Sequence, residues 1–169
     1  MAELTGPVAD RIREIQERFD PRMARELPPH VTLTGSSGMG PTPSTTTVEE
    51  LRYYLEPIAR DTAPIEVVLQ PPMKFMQSVV VVLPIDPHGP IRTLHERIKA
   101  SGLPYEPPRF AFTPHCTLSF YPELPREKLR DLLSIRIEDP VTIDCIAAFK
   151  AVTLTRAEKI LELPLSSGA

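Results

Sequence analysis

Two segments of this 169-residue chain use the same phrase. Pro29-His30-Val31-Thr32-Leu33 and Pro114-His115-Cys116-Thr117-Leu118 each read Pro-His-x-Thr-Leu, and together they hold two of the chain's four histidines. In a strand, residues i and i+2 lie on one face. Each copy therefore presents an imidazole and a hydroxyl side by side and turns Val31/Leu33 or Cys116/Leu118 towards a core. Imidazole, with a pKa near 6.5, gives or takes a proton close to neutral pH. Threonine hydroxyls donate to anionic oxygens without competing as bases. Two such pairs facing each other across a groove would form a paired acid–base site that holds an anion.

The elements around the motifs repeat as well. Val8, Ile12, Ile15 and Phe19 recur at helical spacing, so a helix is expected from Pro7 to Phe19, ended by Asp20-Pro21. Met23 to Leu27 then connects to a first motif strand at His30 to Thr34. The small, polar loop Gly35 to Ser44 suits either a flexible surface connection or a mobile rim beside the site. Thr46 or Thr47 caps a second helix running to about Arg60, with Pro57 near its end. Strands follow at Ile65–Leu69 and Ser78–Pro84, joined by a connector from Gln70 to Met76. A third helix is expected over Ile91–Ala100, then the second motif strand, a helix over Pro125–Leu133, and closing strands over Val141–Val152 and Lys159–Leu163. The order helix, motif strand, helix, strand, strand thus occurs twice. The two histidines stand 85 residues apart, about half the chain. An α+β domain over residues 1–169 is expected, its two lobes related by a pseudo-twofold axis that brings the motif strands together.

Bulk composition narrows the partners. Hydrophobic content of 41% and a net charge of −3 describe an ordinary globular chain and argue against a strongly basic nucleic-acid scaffold. Twenty-one prolines imply short, sharply bounded elements. Two cysteines make no disulfide framework. The longest apolar run, Val79 to Leu83, is too short to span a membrane, and the N-terminal residues lack a signal-peptide pattern. A soluble cytoplasmic monomer without a membrane or an obligate protein partner is expected. No zinc-like spacing occurs, and Cys116 points away from His115, so no metal is expected.

The paired motifs resemble the 2H phosphoesterase superfamily, which includes 2′-5′ RNA ligase-like proteins and cyclic nucleotide phosphodiesterases. The resemblance covers roughly residues 7–164 and implies a mainly antiparallel sheet with outer helices and a central cleft. It implies that His30 and His115 act as general acid and base on a phosphodiester, commonly a 2′,3′-cyclic phosphate, without a metal or other cofactor. It assigns Thr32 and Thr117 to the phosphate. A nucleotide or RNA-end phosphodiester is the implied substrate, with ligation or nucleotide binding with little turnover as alternatives. Three family features are altered. Only Ala2–Thr5 precedes the first helix, where the family has a strand, and arginines of the family are replaced by Phe120 and by Thr34-Gly35. The positive partner of the phosphate is therefore unassigned.

Other residues have two readings each. Phe112 suits a base-stacking platform or a core anchor, and Arg109 suits a phosphate contact or a solvated surface. Tyr121 suits a substrate hydrogen bond or an edge position with a wet hydroxyl. Lys74 and Phe75 lie on a connector that the pseudo-symmetry would carry towards the cleft. His88 and His95 are expected at the surface.

Overall fold

A computed structural model describes residues 1–35, 37–75, 78–153 and 156–167. Ser36 of the loop after the first motif and Met76 of the connector lie outside the described residues. The chain begins with β1 (Ala2–Thr5), α1 (Gly6–Phe19), α2 (Pro21–Glu26) and β2 (His30–Val31). It continues through α3 (Val48–Arg60), β3 (Ile65–Val67), β4 (Met73–Lys74), β5 (Val81–Pro84) and α4 (Pro90–Lys99). The last elements are β6 (His115–Ser119), α5 (Arg126–Ser134), β7 (Val141–Thr153) and β8 (Arg156–Pro164).

The strands form one sheet in the order β3-β7-β1-β2-β6-β5-β4, with β8 paired to β7. Every one of these pairings is antiparallel. The repeat is visible as β1-α1-β2-α3-β3 followed by β5-α4-β6-α5-β7. Its pseudo-twofold axis passes between β2 and β6, which are direct neighbours through Val31 and Cys116. The two halves share a continuous sheet because β7, from the second half, pairs with β1 of the first.

Strand alternation separates the two faces. Ala2, Leu4, Val31, Leu33, Cys116 and Leu118 are all buried and belong to the same apolar cluster as Ile12, Ile15, Leu51, Leu94 and Ile98 of the helices. The opposite face carries the histidines and threonines of the motifs, which are half-buried.

Several elements differ in detail from the sequence reading. The strand ahead of the first helix is present as β1, only four residues long yet central in the sheet. Met23 to Leu27, read as a connection, lies largely within α2, because Asp20 caps the turn and Pro21 suits a first helical position. Part of the connector pairs with β5 as β4. Pro57 does not stop α3; Leu51 and Ala59 on either side of it are buried, and α3 packs on β8. The helix starts at a full capping box between Thr47 and Glu50. His95 is completely buried rather than at the surface, since it shares the apolar face of α4 with Ile91, Leu94 and Ile98. His88 is exposed, as expected.

Candidate active site

The register of β2 and β6 builds the site. Val31 lies opposite Cys116. In an antiparallel pair this register sets His30 towards Thr117, and Thr32, just beyond the end of β2, continues towards His115. All four side chains thus share the face opposite the core, in a two-by-two array with each histidine beside the other motif's threonine. Diagonal neighbours on adjacent strands are about 7–8 Å apart, less at Cβ. His115 adds to the lowering of the His30 pKa, which marks the two imidazoles as near neighbours.

Both rings are tied in the same way. His30 Nδ1 lies 2.8 Å from the carbonyl of Pro28, and His115 Nδ1 lies 2.7 Å from the carbonyl of Thr113. A carbonyl only accepts, so each Nδ1 carries the hydrogen. The neutral tautomer then leaves Nε2 with its lone pair free. The residue two positions upstream, just ahead of the Pro-His phrase in each copy, supplies the carbonyl that fixes both tautomer and ring plane.

Their surroundings differ. Burial pushes the His30 pKa down to about 4; the Pro28 carbonyl opposes this, while the Met1 ammonium and His115 add to it. Burial also lowers the His115 pKa, against the opposing hydrogen bond to Thr113. The Phe75 ring packs on the His115 imidazole with centroids 4.5 Å apart and planes tilted by 35°. Lys74, beside it, is exposed.

Buried polar side chains hold the motif strands from behind. Gln16 of α1 is 3% exposed and donates to the Thr117 carbonyl at 2.8 Å. Asp20, 1% exposed, accepts from Met23 N at 3.1 Å, Phe120 N at 2.7 Å and Tyr121 N at 2.9 Å. It therefore caps α2 and clamps the exit of β6 with a single carboxylate. Asp20-Pro21 signals only a helix end in the sequence; the clamp to residues 120 and 121 comes from the fold.

The remaining candidates take other places. Phe112 is buried, and its ring stacks on His95 with centroids 3.7 Å apart and planes within 13°. Its core-anchor reading fits this arrangement. Arg109 and Phe110 are exposed and border a separate 350 Å³ pocket with Arg92 and Lys99. The Tyr121 hydroxyl donates to Glu26 Oε2, and Arg22 lies 4.0 Å above its ring. The loop after the first motif is anchored. Gly38 N donates to Phe110 O at 2.9 Å, Gly40 N to Glu106 O at 2.9 Å, and Glu106 N to Pro41 O at 2.9 Å. At Gly38, φ is +72° and an added Cβ would lie 2.5 Å from His95 Nε2, so glycine is required.

A model of the 2′-5′ RNA ligase superfamily matches residues 5–151. The chain belongs to that family. Its membership agrees with the 2H phosphoesterase resemblance carried by the paired motifs. A solved phosphoesterase structure aligns over 96% of this chain and 95% of its own, at 17% identity and a TM-score of 0.51, which is a likeness of fold. No curated protein matches. Among the described residues, no helix is long and apolar enough to cross a membrane.

Proposed function

We propose that this protein is a metal-independent phosphodiesterase that opens a 2′,3′-cyclic phosphate or a related phosphodiester on a nucleotide or RNA end. The observation that carries this reading is the Val31–Cys116 pairing, which gathers two imidazoles and two hydroxyls on one face. One imidazole Nε2 takes a proton from water as the oxygen attacks phosphorus. The other, protonated at Nε2, gives its proton to the ribose oxygen as the P–O bond breaks. One P–O bond forms and one breaks, and the proton taken by the base balances the proton given by the acid. Thr32 and Thr117 donate to the non-bridging oxygens, where fixed donors typically contribute about 3 kcal/mol each to the transition state. The same ring opening with a ribose hydroxyl in place of water as the nucleophile is ligation. The family match supports this shared chemistry without separating the two nucleophiles.

The test is turnover of 2′,3′-cyclic mononucleotides by purified protein in excess EDTA. Hydrolysis is expected to persist in chelator. His30→Ala and His115→Ala are each expected to lower kcat by about 10²–10⁴-fold. Loss of activity in EDTA, or full activity in both variants, overturns the mechanism. Tight nucleotide binding with no turnover would favour a binding module, and joined RNA ends would favour ligation.

A further inference from the structure

The two motifs are alike in sequence, register and Nδ1 hydrogen bond, so the array is nearly symmetric. One difference between the two halves is the aromatic ring lying against the His115 imidazole. Phe75 sits at the start of the turn between β4 and β5, where its N–H donates to Val80 O at 2.8 Å. Its own carbonyl accepts from Ser78 N at 3.2 Å and from the Ser78 hydroxyl at 2.5 Å. Phe75 is thus held at its backbone by Ser78 and Val80, and its half-buried side chain lies against His115. Among the described residues, no aromatic ring makes a comparable contact with His30.

We propose that Phe75 is a positioning residue for His115: its ring fixes the tilt of the imidazole and keeps water from one of its faces, leaving the Nε2 edge for substrate. This rests on the proposed two-histidine chemistry for its functional meaning, though the contact itself does not. It also restricts the substrate. A nucleobase cannot stack on the covered face of His115 and must lie beyond Phe75 or on the opposite side of the array.

Two effects of the ring oppose each other. Exclusion of water disfavours imidazolium, whereas the ring face attracts a cation. Burial is the leading influence on His115 and lowers its pKa, and the Phe75 ring covers one side of that imidazole. The groups facing His115 are few. His30 lies diagonally on β2, Pro84 is its partner on β5, Thr113 supplies its carbonyl, and Lys74 next to Phe75 points into solvent. No charged side chain contributes to the shift of His115.

The experiment is NMR titration of both imidazoles in the wild type, Phe75→Ala and Phe75→Leu, with the pH dependence of kcat/KM measured alongside. Phe75→Ala is expected to raise the His115 pKa towards 6.5 and leave His30 in place. Phe75→Leu, which keeps an apolar cover without a π face, is expected to stay near wild type. The alkaline limb of the rate profile should move to higher pH in Phe75→Ala alone. An unmoved or lowered His115 pKa in Phe75→Ala, or an equal shift of both histidines, overturns the proposal. The titration needs no turnover, so an inactive protein with the expected shifts would refute the proposed reaction and leave the role of Phe75 intact.

Discussion

At the residue scale, the site depends on which nitrogen holds a proton. Two acceptor carbonyls, of Pro28 and Thr113, hold the hydrogen on each Nδ1 and leave the Nε2 lone pair of each neutral ring free. Efficient turnover needs one neutral and one protonated imidazole. Below about pH 4 both are protonated, because His30 then also charges. Above the lowered His115 pKa both are neutral. On the proposed reading, kcat/KM is bell-shaped with its maximum below pH 6.5, whichever histidine is the base, since the limbs belong to the pair. A profile still rising at pH 7.5 would contradict this. Cys116 lies on the other face, and burial raises its thiol to about 12, so it is an inert core residue.

At the element scale, the motif strands are short, and β2 spans only His30–Val31. Such pieces keep their register because neighbouring elements hold them. Asp20 joins the α1–α2 corner to the exit of β6 through three backbone N–H groups. Removing its carboxylate leaves those donors without their partner, and each buried unsatisfied group costs about 1–3 kcal/mol. Asp20→Ala is therefore expected to destabilise the fold by about 3 kcal/mol, read as a lower urea midpoint at unchanged slope. Activity at low denaturant should fall too, because Thr117 lies on the strand that Asp20 clamps. A midpoint within about 0.5 kcal/mol of wild type would show that the clamp contributes little.

At the scale of the whole molecule, the sheet buries one face under the helices and keeps polar groups on the other, and the polar face carries a pH cost. His30 and His115 on that face have lowered pKa values, with burial the leading cause for each, and so does His95 in the core. A group held neutral in the fold binds fewer protons there than in the unfolded chain. Stability is then fully present above the unfolded pKa near 6.5 and declines as pH falls towards the folded value. For His30, with a folded value of about 4, the loss amounts to about 3 kcal/mol across pH 6.5 to 4. Unfolding free energy is expected to drop over this window, and His30→Gln should remove part of the drop. A flat curve between pH 6.5 and 4 would refute the assignment.

Which motif side chains share a face was legible because strand alternation is local: His-x-Thr-Leu sets this wherever the strand lies. Periodicity likewise marked the main helices, and the duplicated order marked the pseudo-twofold axis. Residues whose role depends on distant partners were not legible. Phe112 meets His95, Tyr121 meets Glu26, Asp20 reaches Phe120, and Phe75 reaches His115, each across at least 17 positions of sequence. His95, expected at the surface, is buried because it falls on the same stripe of α4 as Ile91, Leu94 and Ile98, a local signal that the surface reading passed over. The sequence by itself determined the chemical groups and their pairing within each motif. Only the tertiary structure decided that the motifs are adjacent strands in a register that sets each histidine beside the other's threonine. Sheet order is a property of the whole packed core, and no local spacing encodes it.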